Sequence, residues 1–235
     1  MQAPMEDVTD AAFRRLIAKY GKAPRTDGGR GGPDVMFTEF TSADGLVLAP
    51  EAGQRALRKK LIFSPEERPI VAQLFTAVPE RMEKAARIVA ELGFDGVDIN
   101  MGCPVAEVVR QNCGAALIKN PALARELIRA AKESGLPVSI KTRIGYDTNE
   151  LETWLPELLA EEPAAVTLHA RTRKEMSDVP ARWDTVARAV AIRDSIQNPR
   201  GDTSRIVFPQ ITLIRALALQ FRIPFPFLHN MLVLR

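Results

Sequence analysis

Cysteine and histidine are scarce in this chain, with two of each in 235 residues. Two cysteines, Cys103 and Cys113, cannot build the disulfide framework of a small secreted domain, so a reducing, cytoplasmic setting is expected. Two Cys and two His show no metal-ligand spacing, and no metal is expected. No run of about 20 apolar residues exists to span a membrane. The opening MQAPMEDVTD is neither basic nor apolar enough for a signal peptide. No GxGxxG stretch follows a strand, which argues against a dinucleotide-binding doubly wound sheet. Acid is nearly missing from the last segment: residues 199–235 hold five Arg and one Asp. The net charge of +3 and pI of 9.0 therefore come from that tail, and composition alone is weak evidence for an RNA partner.

What is present suffices for a large α/β domain. The chain is 46% hydrophobic and 26% charged, enough to bury a core. Apolar runs alternate with amphipathic stretches. Residues 1–5 read as the end of a strand. Strands follow at 35–38, 69–75, 96–100, 137–143 and 165–170. Helices are expected over 10–20, 79–92, 120–134, 151–161 and 183–193, with 42–48 helical or turn-like. Gly93 and Gly135 stop helices, and Asn120-Pro121 starts one as N-cap and first residue. Residues 21–33 form a Gly/Pro-rich loop whose Lys22, Arg25 and Arg30 could reach phosphates; a solvated insertion is the plainer reading.

Strand, helix and short loop in repetition predict a parallel sheet with right-handed crossovers. The expected fold class is α/β, a TIM (β/α)8-type barrel. Eight units need about 250 residues; about six are legible, the first strand a stub and the last two units missing. The expected division is a partial barrel over 1–198 and a hydrophobic, basic tail over 199–235. Ile206–Phe208 reads as a strand and Leu213–Phe221 as a helix.

Each strand is apolar until its last residues and then presents a polar group. Met5 follows the first strand and Glu39 the second. Gln73 lies late in the third. Asn100 and Cys103 follow the fourth in Asp98-Ile99-Asn100-Met101-Gly102-Cys103-Pro104. Lys141 and Arg143 close the fifth, His169 and Arg171 the sixth. Singly each has a plain explanation: Cys103 an inert thiol, His169 a satisfied core histidine. Gathered at the C-terminal ends of strands they describe a barrel enzyme's site. A lysine in an apolar strand needs an anionic or carbonyl partner. Gln73 can both donate to and accept from a heterocycle edge. A thiol with an ordinary pKa near 8.5 is protonated at neutral pH and can give a proton.

These residues stand in recognisable stretches: APMEDVTD (3–10), FTEFTSADGL (37–46), PIVAQLF (69–75), DGVDINMGCP (95–104), GAALIKNP (114–121), VSIKTRIGYD (138–147) and TLHARTR (167–173). From Ala3 to about Asp194 the chain resembles the tRNA-dihydrouridine synthases. The resemblance implies a TIM barrel that binds FMN. It implies reduction of the C5–C6 double bond of particular tRNA uridines, with NADPH as reductant. Flavin N5 would give hydride to C6 and Cys103 a proton to C5. Pro4, Met5, Gln73, Lys141 and His169 would contact the flavin. Asn100 would hold the uracil, and Arg143 and Arg171 the RNA or the flavin's polar end. The partner is tRNA, and a monomer is expected. Two elements of the family, an Asn-Gly-Asp stretch and a later Gly-Arg stretch that cradle the FMN phosphate, have no counterpart here. A second reading, a non-catalytic RNA-binding fragment using the Arg-rich tail, stays open beside the enzyme.

Overall fold

The computed structural model describes residues 1–24, 30–197 and 231–234. Two compact units divide the chain, residues 1–99 with 129–138 and residues 100–128 with 139–235.

In the first unit residues 1–5, expected as the end of a strand, form no strand, and Gln2 N–H donates to Val35 O at 3.0 Å. Helix α1 (Ala11–Tyr20) starts where Asp10 accepts from Phe13 N–H at 2.7 Å. The loop after α1 holds a two-residue antiparallel pair, β1 (Ala23–Pro24) and β2 (Arg30–Gly31). Arg25 lies outside the described residues.

Strand β3 (Met36–Phe37) and strand β4 (Thr41–Ser42) follow, then α2 (Ala43–Leu48), capped by Ser42 Oγ on Gly45 N–H. Helix α3 (Glu51–Lys60) buries no residue fully, so no apolar stripe announces it in the sequence. It packs closely on α2, because a Cβ on Gly45 would stand 2.5 Å from Leu57 Cδ1. Strand β5 (Ile70–Phe75) pairs in parallel with β3 and β4. Helix α4 (Pro79–Glu91) buries Met82, Ala85, Ala86 and Val89 at helical spacing and ends before Gly93, at φ +81°. Strand β6 (Gly96–Met101) is buried throughout and pairs in parallel with β5, setting Gln73 opposite Asp98.

The second unit begins within β6. Helix α5 (Ala106–Arg110) and a 3₁₀ turn (Gly114–Lys119) precede α6 (Pro121–Lys132), whose first turn Asn120 Oδ1 caps through Leu123 N–H at 3.2 Å. Strand β7 (Val138–Arg143), helix α7 (Leu151–Leu159), strand β8 (Ala165–His169) and helix α8 (Trp183–Gln197) continue the alternation. β7 and β8 are parallel, with Lys141 opposite Thr167 and Arg143 opposite His169. Trp154 of α7 is buried and donates Nε1–H to Thr142 Oγ1 at 3.0 Å, which donates to Met101 O at 3.1 Å. Helix, strand and the end of β6 are thus linked by two hydrogen bonds.

The parallel strands and intervening helices are those of an incomplete TIM-type (β/α) barrel, as the alternation predicts. One feature departs from it. Strand β9 (Met231–Leu234) lies antiparallel on β8, with His169 opposite Met231, and occupies an edge that a longer barrel would give to a parallel neighbour. The strand at 206–208 and helix at 213–221 fall outside the described residues. Among the described residues, no helix is long and apolar enough to cross a membrane.

Candidate active site

Cys103 sits in a turn that its neighbours define. Asn100 Oδ1 accepts from Gly102 N–H at 3.2 Å and Cys103 N–H at 2.9 Å, an Asx-type turn closing β6. Cys103 O accepts from Ala115 N–H at 3.0 Å. Gly114 makes that approach possible: its φ is +60°, and a Cβ there would stand 2.7 Å from Cys103 O. Gly102 lies against the Thr142 main chain, where a Cβ would stand 3.2 Å from the carbonyl carbon. Cys103 itself is half-buried, and Cys113 is buried.

Arg143 is tied into the main chain around the site. It is 5% exposed, and its guanidinium donates to three backbone carbonyls: Gly102 at 2.9 Å, Thr172 at 2.9 Å and Met176 at 2.8 Å. It ties the turn before Cys103 to the loop after β8. Burial lowers its pKa to about 10, with Cys103 and Glu175 opposing that shift and the neighbouring arginines adding to it. It stays charged at neutral pH.

His169 ends β8 with its Nε2 2.9 Å from Arg171 Nη1. A guanidinium only donates, so Nε2 accepts and the ring proton belongs on Nδ1. Burial, then the charges of Arg143, Lys141 and Arg171, pull its pKa down to about 3. The imidazole is neutral at pH 7, in a field positive enough to repel its second proton. Arg171 also donates Nε–H to Val179 O at 2.5 Å. Lys141 is half-buried, two residues before Arg143 on the same face of β7. The second unit therefore brings together Arg143, His169 and Arg171, with Lys141 close enough to depress His169, and Cys103 beside Arg143.

Pro4, Met5 and Gln73 belong to the first unit. Met5 N–H donates to Thr9 Oγ1 at 3.0 Å, and Thr9 Oγ1 donates back to Met5 O. Gln73 is 1% exposed and gives Nε2–H to Asp98 Oδ2 at 2.6 Å. Asp98 was not singled out in the sequence, although a buried acid in a strand, two residues before Asn100, is a signal for a partner. Glu175 was also missed. It accepts from Thr172 N–H at 2.8 Å and pairs with Arg182, whose hydrogen bond is the main reason its pKa falls to about 2.

The expectation of no metal rested on Cys and His. The carboxylates of Glu6, Asp7 and Glu39 lie within 4.8 Å of one another and offer oxygen instead. Their charge has protein partners. Lys60 pairs with Glu6, and Asp7 N–H donates to Glu39 at 2.7 Å. Burial opposes the charge on Lys60, but the bond to Glu6 and the charges of Glu6, Glu39 and Asp7 together outweigh it, and its pKa is raised.

Comparison with known proteins follows the same residues. Residues 1–197 match the family model described as dihydrouridine synthase. The chain is 45% identical over 195 residues to "Probable tRNA-dihydrouridine synthase 2" of Bacillus subtilis (strain 168), covering 83% of this chain and 56% of that protein. It is 42% identical over 195 residues to a "Probable tRNA-dihydrouridine synthase" of Staphylococcus epidermidis and to another of Staphylococcus aureus (strain COL), with the same coverage. The chain thus spans 56% of the length of these relatives. A family match over most of its length, at these identities, shows that the chain belongs to the dihydrouridine synthase family.

Proposed function

We propose that this chain is the catalytic portion of an FMN-dependent tRNA-dihydrouridine synthase, which reduces the C5–C6 bond of uridine with NADPH as the reductant. The observation that carries the reading is the turn of Cys103. It is fixed through Asn100, Ala115 N–H and, by way of Gly102, Arg143, in a unit that gathers Lys141, His169 and Arg171.

The charge at the ends of β7 and β8 suits an electron-rich flavin edge. Burial first, and then three cations, keep His169 neutral there, and an anionic or acceptor group would relieve the mutual repulsion of those cations. Lys141 and His169 would hold the flavin, with Pro4, Met5 and Gln73 as further contacts. Bound FMN would supply hydride to C6 of the uracil. Cys103 would give its proton to C5 and regain one from solvent, leaving the base saturated at both carbons. Asn100 would position the uracil, while Arg143 acts by holding the turn. Arg171 would face the flavin or the RNA. The target base leaves the helical stack to reach such a site.

The test is to reconstitute the purified chain with FMN and record its visible spectrum and dihydrouridine formation in a tRNA transcript. Cys103→Ala is expected to keep the flavin and lose at least about 100-fold in product formation, the scale of general acid catalysis. Full activity in that variant removes the acid role. A folded chain that takes no flavin but still binds tRNA would favour the non-catalytic RNA-binding reading.

A further inference from the structure

We propose that the loops after β7 and β8, with the end of the 3₁₀ turn before α6, form a surface that grips the RNA phosphate backbone, built from Lys119, Tyr146, Arg173 and Lys174. The inference rests on the tRNA reading above and adds where, and through which chemistry, the second unit takes hold of the strand.

The two loops are joined along their main chains. Ile144 N–H donates to Arg171 O at 3.3 Å, Arg173 N–H to Gly145 O at 2.9 Å and Lys174 N–H to Tyr146 O at 2.9 Å. This ladder fixes the spacing of the side chains it carries. Lys119 Nζ lies 3.7 Å from the centroid of the Tyr146 ring, and Arg173 Cζ 5.2 Å from it. One aromatic ring thus holds two cations, from the 3₁₀ turn before α6 and from the loop after β8. Lys174, next in the chain, is exposed.

Two observations show that the protein does not compensate the charge of Arg173. Arg173 Nε is buried without a hydrogen-bond partner among the described residues. Its neighbouring acid is also committed: Glu175 is engaged by Arg182 and Thr172. Lys119 lies 3.8 Å from Asp147, and both side chains are more than half exposed, so water and salt screen that pair. Glu150 lies on the same loop, its Oε2 accepting from Tyr146 N–H at 2.6 Å. Three cations against Asp147 and Glu150 still leave net positive charge on a surface of fixed shape. A phosphodiester supplies the countercharge to Lys119, Arg173 and Lys174, and acceptors for the exposed parts of those cations. Because Lys119 already occupies the Tyr146 ring, the surface suits the backbone rather than stacking of bases, so it positions RNA without reading sequence.

Salt dependence of binding tests this on the full chain, with an unmodified tRNA transcript between about 50 and 200 mM salt. Each phosphate contact contributes about 0.7 to 0.9 to the slope of log affinity against log salt. The variant Lys119→Gln/Arg173→Gln/Lys174→Gln is expected to lower that slope by about 2 to 3. A control of equal charge change on exposed positions of the first unit, Arg58→Gln/Lys59→Gln/Lys84→Gln, is expected to leave it nearly unchanged. Lys174→Gln alone, at an exposed side chain, is expected to lower the slope by somewhat under 1 and keeps the test valid if the triple variant fails to fold. An unchanged slope in the variants that fold, or an equal fall in the control, overturns this surface and leaves the proposed function standing. A parent chain that shows no salt-dependent tRNA binding overturns both.

Discussion

Cys103 is fixed through the main chain. Asn100 holds its N–H, Ala115 its carbonyl, and Arg143 the carbonyl of Gly102 before it. Arg143 is the joint of this arrangement because one planar fork reaches three carbonyls. Arg143→Lys keeps the charge and loses the fork. It is expected to destabilise the chain by about 1–3 kcal/mol for each buried carbonyl left unpaired, read as a shift of the urea midpoint. An unchanged midpoint would show that water replaces the fork. His169 offers a second check. Burial and then three cations hold its pKa near 3. Arg171→Met removes one of those cations and the Nη1 donor, so the His169 pKa is expected to rise, read from its imidazole resonances during a pH titration. No movement would assign the depression to burial and the other charges.

Among the elements, α1 owes its place to a buried charge. Arg14 is fully buried and donates Nε–H to Glu67 at 2.6 Å, with further bonds to Thr9 O and Ile62 O. Glu67, equally buried, also accepts from Ser64 N–H and Oγ. Losing one partner of such a pair leaves an uncompensated charge in a dry site. Arg14→Met is therefore expected to cost about 3–5 kcal/mol in chemical denaturation. Replacing both residues by Met should recover most of that loss, since the stranded charge is gone. A double variant as unstable as the single one would show that Arg14 matters through its bonds to Thr9 and Ile62. The two-residue strands β3 and β4 rely on β5, which pairs with both. Helix α3 contributes packing through partly exposed residues such as Leu57, under Gly45.

The stability of the whole molecule carries the signature of these shifted groups. His169 is depressed in the folded state, to about 3 from 6.5. The unfolded chain therefore binds more protons between those values, and folding stability falls as pH drops through that window. Glu175 acts in the same direction at lower pH, with its pKa down to about 2 from 4.5, though screened by solvent. Denaturation at pH 7 and near pH 4.5 is expected to show the loss, and His169→Gln to reduce it. Equal pH dependence in the variant would mean that His169 keeps its proton affinity on folding. On the same scale, the chain corresponds to 56% of its relatives' length, so the activity of a complete synthase is a matter for the flavin and product assays above.

The sequence by itself determined the alternation of strand and helix, the fold class and the family. The strands at 70–75, 96–101 and 138–143 read as short, β-branched and apolar stretches with polar residues toward their ends, and Pro121 starts a helix while Gly93 and Gly135 follow helix ends. It also placed Asn100, Cys103, Lys141, Arg143, His169 and Arg171 at strand ends. It missed α3, whose face carries no fully buried residue, and took residues 1–5 for a strand because one hydrogen bond to Val35 cannot be read from composition. What only the tertiary structure decided is how each polar group is employed. Arg143 and Gly102 are 41 residues apart in the chain, and so are Thr142 and Met101. Arg143 could therefore be seen as a turn-holding residue only once β7 and the end of β6 lay side by side. The same holds for the orphaned Nε of Arg173 and the cations gathered on Tyr146. A side chain's chemistry is local, but its partners are set by which distant segments the fold brings within hydrogen-bond reach.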